Sequence, residues 1–337
     1  MKVRIGINGF GRIGRGVFHA GFKEKTLDFV GINDITDAKT LAHMLKYDSV
    51  HGHFSQDVSY TENSLILNGK EIPISKEREP ADIPWDQWDV DLVFECTGIF
   101  RTYELASKHL KGGVKRVLLS APDKGKITPI PTFVIGVNEE SFDSEKHKVI
   151  SNASCTTNCY APVTKVIDDA FGIQSGYMTT IHSYTTDQRI LDLPHSDLRR
   201  ARAAALSMIP TSTGAATAVG KVLPHLEGKL QAISIRVPTP NVSLIDAIYS
   251  LEKEVTKEEV NDIFIDASKN KLKGILDVSE EPLVSYDYNG NPNSATVDLP
   301  LTMSYKNQIK VVAWYDNETG YSHRMIDLAK YVISKEN

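Results

Sequence analysis

Six residues near the start of the chain, Gly9-Phe10-Gly11-Arg12-Ile13-Gly14, constrain its fold more than any other stretch. They follow a strand-like run, Val3-Arg4-Ile5-Gly6-Ile7-Asn8, and open a helical one that continues through Val17-Phe18 and Phe22. A G-x-G-x-x-G between strand and helix has a mechanical meaning. Gly9 and Gly11 permit a tight turn and close approach of backbone to a pyrophosphate, and Gly14 lets helix and strand pack. The helix N-terminus then offers N–H groups and a positive dipole end to phosphate. Glycines also serve ordinary turns, so the context carries the argument. A second strand, Phe29-Val30-Gly31-Ile32-Asn33, ends at Asp34. An acid about twenty residues beyond the glycines, at a strand's carboxyl end, is placed to accept hydrogen bonds from the adenosine ribose. Alone, Asp34 reads as a loop-capping carboxylate; with the glycines, the ribose reading is preferred.

Further strand-like runs fall at 64–67, 70–74, 92–96 and 116–120, and another at 133–137. Asn68-Gly69 between the first two is a hairpin signal, and a helical segment spans 102–110. Ligands in open α/β sheets collect at the carboxyl ends of strands, so Thr97-Gly98 and Ser120-Ala121-Pro122 are placed to line a cofactor crevice. Residues 1–153 therefore read as one Rossmann-type dinucleotide-binding domain.

The chemistry is expected just beyond it, in Ser151-Asn152-Ala153-Ser154-Cys155-Thr156-Thr157-Asn158-Cys159. Val163, Val166, Ile167, Ala170 and Phe171 continue at helical spacing to Gly172, and Ser151, Asn152 and Ser154 are all good N-caps, so a helix should begin close to Cys155. A thiol facing a helix N-terminus sees the positive end of the macrodipole, which favours the nucleophilic thiolate. A free cysteine is more often a small buried hydrophobe. Here its neighbours are Ser, Thr, Thr and Asn, and the nucleophile reading is preferred. Next comes a strand at 176–182 ending on His182, then an irregular Arg-rich segment, 183–205. Ile209-Pro210-Thr211-Ser212-Thr213-Gly214 reads as a turn opening a helix, a natural anion site. Strands at 230–238, 242–251 and 308–315, with helices at 258–270 and 321–333, predict an α+β domain with a largely antiparallel sheet and helices on one face.

Composition narrows the class. A chain of 337 residues holds two substantial cores, and 41% hydrophobic with 24% charged residues is globular. The net charge of −5 argues against a nucleic-acid-binding body, and no apolar run approaches membrane-spanning length. Met1-Lys2-Val3-Arg4-Ile5 enters a strand directly, leaving no room for a signal peptide. Three cysteines suggest no disulfide framework, and Cys155 and Cys159 match no zinc spacing, so no metal is expected and a reducing cytoplasm is the simplest setting.

The chain resembles the phosphorylating glyceraldehyde-3-phosphate dehydrogenases of the bacterial glycolytic type, from Val3 to the C-terminal helix. The motifs are Ile-Asn-Gly-Phe-Gly-Arg-Ile-Gly-Arg at 7–15, Ala-Ser-Cys-Thr-Thr-Asn-Cys at 153–159 and His-Ser-Tyr-Thr at 182–185. Asp-Leu-Arg-Arg-Ala-Arg at 197–202, Arg-Val-Pro-Thr-Pro-Asn-Val-Ser at 236–243 and Trp-Tyr-Asp-Asn-Glu at 314–318 complete the set. One departure is Thr186, where relatives often carry Asn.

The resemblance implies that Cys155 is the nucleophile and His182 its base. Arg12 and Ile13 would touch the pyrophosphate of NAD, Asp34 the adenosine ribose, and Arg78 and Ser120 would line the cofactor site. Asn317 would hold the nicotinamide carboxamide. Ser154, Thr156, Thr185, Arg200, Thr213, Gly214 and Arg236 would bind the phosphate of glyceraldehyde 3-phosphate and the attacking inorganic phosphate. The family further implies a homotetramer in which 183–205 reaches a neighbour's cofactor. It also implies a catalytic domain over 154–317, and a C-terminal helix, 318–337, that returns to complete the first domain.

The residues themselves point to the same chemistry in less detail. A thiolate adds to an aldehyde, His182 takes the hydroxyl proton as the carbon is oxidised, and Arg and Thr groups favour phosphate over water as the attacker of the thioester. Without Cys155, His182 would read as a strand-end core histidine. Two rivals stay open. One is erythrose-4-phosphate dehydrogenase, though Tyr184-Thr185-Thr186-Asp187-Gln188 looks more like the glyceraldehyde branch. The other is a non-catalytic NAD-binding redox sensor using Cys155 and Cys159, for which a phosphate-binding set would be superfluous.

Overall fold

The computed structural model describes residues 2–336. They form two compact units. One comprises the chain up to Phe133, Glu139–Ala153 and the segment from Ser322 onward; the other comprises Val134–Asn138 and Ser154–Tyr321. Among the described residues no helix is long and apolar enough to cross a membrane.

The first unit begins with β1 (Val3–Asn8), α1 (Arg12–Gly21), β2 (Leu27–Asn33) and α2 (Ala38–Lys46). A two-residue ribbon, β3 (Tyr47–Asp48) and β4 (Gly52–His53), leads to β5 (Val58–Tyr60), β6 (Ser64–Leu67) and β7 (Lys70–Ser75). Then follow β8 (Leu92–Glu95), α3 (Tyr103–Ala106), β9 (Arg116–Leu119) and β10 (Val149–Ser151). The sheet order is β10-β9-β8-β1-β2-β7-β6-β5, parallel from β10 to β7 and antiparallel at β6 and β5. Parallel strands covered on both faces read as unbroken apolar runs, and Ile5, Ile7, Val93, Phe94, Val117 and Leu118 are fully buried. Chain order reverses at β1, whose neighbours are β2 on one side and β8 on the other. In such sheets that reversal leaves a crevice at the carboxyl ends of the strands.

The Asn68-Gly69 hairpin forms as its residues dictate, with both at positive φ (50° and 81°) and Leu67 paired with Lys70. Residues 133–137 do not form the expected strand. Phe133 N–H bonds Ser151 O, but the chain then turns, with Val137 N–H on Val134 O and Gly136 at φ +83°. An apolar run that short looks the same in a strand or a buried turn. The helix expected over 102–110 is α-helical only in α3 and finishes as a 3₁₀ turn, Ser107–His109. The C-terminal helix α7 (Thr319–Ser334) lies, from Ser322 onward, against α1. A Cβ on Gly16 would meet Ser322 Oγ at 2.4 Å, and Lys330 pairs with Glu24 at 3.2 Å.

The second unit opens with α4 (Cys155–Phe171) and β11 (Ile173–Ser183), then β12 (Ile209–Ser212), α5 (Ala215–Val222), β13 (Leu230–Val237) and β14 (Ser243–Leu251). It ends with α6 (Lys257–Lys269), β15 (Leu276–Ser279), β16 (Ala295–Asp298), β17 (Met303–Tyr305) and β18 (Gln308–Tyr315) before the first residues of α7. The order β12-β13-β11-β14-β18-β16-β15, with β17 on β18, is antiparallel except at β11–β13 and β15–β16. Ile209–Ser212, where the sequence predicts a turn, forms the strand β12. It contains Pro210, which cannot donate to a ladder and fits here because β12 is the edge.

Candidate active site

In the first unit, β1 delivers the chain into the glycine turn. Gly9 sits at φ +86°, and a Cβ there would lie 2.8 Å from Thr97 N. On Gly14 it would meet Gly9 O at 2.1 Å, so neither position tolerates a side chain. Above Gly11 the space is open. Gly11 is the N-cap of α1 and no side chain caps that helix, so the positive end of its dipole faces the open space above the turn. Asp34 follows β2 directly: its Oδ2 accepts Phe10 N–H (2.7 Å) and its Oδ1 accepts Thr36 N–H (2.9 Å), which fixes the carboxylate beside the turn. These features fit a dinucleotide.

The remaining cofactor candidates of this unit differ in how they are held. The Arg12 guanidinium pairs with Asp48 (2.9 Å), so its charge is already engaged within the unit. Burial opposes charge on Asp48, but the His51 N–H and Arg12 outweigh it and hold the carboxyl at about 2. Ser120 N–H is tied to Glu95 O at 3.0 Å, while Arg78 is exposed.

In the second unit α4 starts at Cys155. Ser154 is its N-cap and its Oγ accepts Thr157 N–H at 3.1 Å, as Ser at that position should. Cys155 is half-buried, and its Sγ lies 3.5 Å from His182 Nε2. His182, one residue before the end of β11, is 3% exposed, and its Nδ1 lies 2.7 Å from Ser183 O. A carbonyl only accepts, so the ring proton sits on Nδ1 and the Nε2 lone pair faces the thiol. Arg236 is the register partner of His182 on β13; its Nη1 reaches Ser183 O (3.2 Å) and Thr185 Oγ1 (3.3 Å). The Arg236 Nε is buried and has no partner, which suits an incoming anion.

Taken singly, both reactive groups are held neutral. Burial pushes the Cys155 thiol up against the pull of the Arg236 cation. Burial, and then the same cation, push the His182 imidazole down to about 3. Neither group charges alone, but moving one proton from Sγ to Nε2 creates opposite charges 3.5 Å apart, so the two titrate as a unit. Cys159, one turn along α4, is fully buried and its thiol is pushed well up, so it is no nucleophile at neutral pH.

The other anion-binding candidates of this unit are only partly free. Arg200 ion-pairs with Asp187, and its Nε donates to Thr211 Oγ1 (2.9 Å), so it braces the irregular segment while placing its charge near His182. Gly214 is the exposed N-cap of α5, with open space above it, and Thr213 Oγ1 accepts Ala215 N–H at 3.3 Å. Thr156 turns inward: its Oγ1 bonds Tyr315 Oη at 3.0 Å, leaving backbone for a ligand. Asn317 Oδ1 is taken by the Ser183 and Ser243 hydroxyls (2.9 and 3.0 Å), so what it offers is its amide N–H₂. The sequence missed Tyr315, whose Oη joins Thr156 to Thr180 (2.9 Å) and whose ring lies edge-on to His182, 5.9 Å away. Its inward place in the alternation of β18 was the available signal.

Fold and glycine turn together define a protein built to bind a dinucleotide. Family models for the glyceraldehyde 3-phosphate dehydrogenase NAD binding domain and C-terminal domain match residues 3–103 and 154–317. The glyceraldehyde-3-phosphate dehydrogenase of Geobacillus stearothermophilus is 58% identical over 336 residues, covering 99% of each chain. Glyceraldehyde-3-phosphate dehydrogenase 1 of Bacillus cereus is 58% identical over 333 residues, 98% of this chain and 99% of its own. Glyceraldehyde-3-phosphate dehydrogenase 1 of Bacillus subtilis is 56% identical over 336 residues. The chain belongs to the glyceraldehyde-3-phosphate dehydrogenase family.

Proposed function

We propose that the chain oxidises D-glyceraldehyde 3-phosphate to 1,3-bisphosphoglycerate in glycolysis, with NAD as oxidant and inorganic phosphate as second substrate. The observation that carries the reading is the Cys155–His182 contact at the start of α4, beside an Arg236 with an unused buried donor. Cys155 sulfur adds to the aldehyde carbon, and the proton held on His182 Nε2 passes to the new alkoxide, giving a thiohemiacetal. NAD, when bound, accepts the hydride. As the C=O bond re-forms, His182 Nε2 takes the hydroxyl proton, leaving a thioester on Cys155. A phosphate oxygen attacks the thioester carbon, the C–S bond breaks, and the thiolate returns to its place beside the imidazolium.

The other roles follow from what each residue has left to offer. Arg236, Thr185, Arg200, Thr213 and Gly214, with the helix start at Ser154 and Thr156, would bind the two phosphates. Gly9, Gly11, Ile13 and Gly14, with the Arg12 backbone, would hold the pyrophosphate, Asp34 the ribose, and Arg78 and Ser120 the rest of the adenosine half. Asn317 would donate to the carboxamide. Residues 1–153 with helix 318–337 would serve as the cofactor domain and 154–317 as the catalytic one. We also infer a cytoplasmic homotetramer: Ile190, Leu198 and Leu206 are each more than four-fifths exposed in the irregular segment, which suits burial by other copies. Trapping tests the chemistry. With NAD and substrate but no phosphate, mass spectrometry should find one acyl group, on the Cys155 peptide; acylation elsewhere would overturn the assignment.

A further inference from the structure

One buried carboxylate ties together the strand ends that carry the glycine turn and the ribose-binding acid. Glu95 ends β8 and is 2% exposed. Its Oε2 accepts from Asn8 Nδ2 (2.6 Å), at the end of β1, and faces His109 Nε2 at 3.0 Å. Its Oε1 accepts Thr97 N–H (2.8 Å) and the Thr97 hydroxyl. The network continues outward: Asn8 Oδ1 accepts Asn33 Nδ2 (2.8 Å), at the end of β2, and Asn33 Oδ1 accepts Ser75 Oγ and Glu77 N–H (2.8 Å each). The ends of β1, β2 and β8, and the segment after β7, are thus one hydrogen-bonded unit.

The protonation of this unit is dictated by its donors. Trp85 Nε1 can only donate, and it lies 3.0 Å from His109 Nδ1. That fixes a neutral imidazole with its proton on Nε2, aimed at Glu95. Four donors then converge on two carboxylate oxygens, leaving no oxygen to carry a proton. The buried charge is held by hydrogen bonds alone, so losing any one donor leaves it less well satisfied. Each strand end it holds enters the candidate cofactor site. Asn8 precedes Gly9, Asn33 precedes Asp34, and Thr97 is the residue that a Cβ on Gly9 would strike.

We propose that Glu95 is a positioning residue for the cofactor: through Asn8, Asn33 and Thr97 it sets the spacing of the glycine turn, Asp34 and the β8 turn, with His109 locked by Trp85 as its neutral donor. This rests on the reading that the first unit takes NAD. Glu95→Gln tests it, because no amide orientation satisfies the site. One puts –NH₂ against the Asn8 and His109 donors, the other against Thr97. The dissociation constant of NAD, measured by titration calorimetry, should rise about ten-fold or more, as for other broken charge-assisted sets. The Michaelis constant for NAD should rise with it, while turnover at saturating NAD and Cys155 alkylation without NAD stay within about two-fold. Thr97→Val removes one donor from a half-buried position and should weaken NAD binding in the same sense by a smaller factor. Unchanged NAD affinity in a folded Glu95→Gln chain, or in Thr97→Val if Glu95→Gln does not fold, would overturn the proposal. So would a parallel loss of alkylation and turnover, which marks a merely structural role. A wild-type chain that fails to bind NAD would overturn the cofactor reading and this inference with it.

Discussion

Arg236 Nη1 lies 3.2 Å from His182 Nδ1, and the two residues are register partners on the parallel strands β13 and β11. The guanidinium cannot be accepted by a nitrogen that already donates to Ser183 O, so this approach is electrostatic rather than a hydrogen bond. A fixed cation beside the ring disfavours an isolated imidazolium and favours the thiolate on Cys155. Proton sharing between the two reactive groups is therefore set by a third residue.

Removing the imidazole should separate its two roles. His182→Asn takes away the proton acceptor of Cys155 and the base for oxidation, so the pH profile of Cys155 alkylation should move to higher pH. Turnover should fall about a hundred-fold or more, the usual scale for loss of a general base. Alkylation kinetics against pH measure the first effect; an unmoved profile would mean that the contact carries no proton.

Arg236 and Arg200 should behave differently although both are expected to meet phosphate. Arg236→Leu removes the unpartnered buried Nε donor, together with the Nη1 contacts to Ser183 O and Thr185 Oγ1, and should raise the Michaelis constants for triose phosphate and inorganic phosphate about ten-fold or more, with NAD affinity intact. Arg200→Ala also removes the bonds to Asp187, Thr211 and Ser212, so its kinetic defect should come with a lower Tm. Steady-state constants and melting curves for both variants check the distinction.

Stability should fall on mild acidification. Burial holds the His19 imidazole down at about 4, below its unfolded value of 6.5. The unfolded chain then binds more protons than the folded one, so stability is retained above about pH 6.5 and lost progressively as pH falls toward 4. Tm measured from pH 8 to about 4.5 should drop, and His19→Gln should flatten part of that drop between pH 6.5 and 5. An equal slope in the variant would acquit His19.

Cofactor choice should follow Asp34, whose carboxylate is held rigid by two backbone N–H groups. A ribose 2′-phosphate beside it would meet like charge, so NAD should be preferred over NADP by roughly a hundred-fold. Asp34→Gly should erode that preference. The ratio of kcat/KM values for the two cofactors is the readout, and equal use by wild type would contradict it.

Much of this was legible in local chemistry. The two ends of α4 could be placed because Ser154 is a cap and Gly172 a stop, and the glycine turn because Gly9 and Gly14 have no room for a side chain. What escaped was non-local. β12 hid because Pro210 is allowed only at an edge, and edges are decided by sheet order. Tyr315 beneath His182, and Glu95 between three strand ends, owe their roles to partners as far as 159 and 87 residues away. The charge state of the Cys155–His182 contact also escaped, because burial and Arg236 decide it together.

The most direct test is NADH formation from glyceraldehyde 3-phosphate, followed with and without inorganic phosphate in wild type and Cys155→Ser. Wild type should turn over repeatedly only with phosphate and give a single burst without it, while Cys155→Ser should bind NAD yet form no NADH. Sustained turnover without phosphate, or turnover by Cys155→Ser, would contradict a thioester on Cys155 that phosphate resolves.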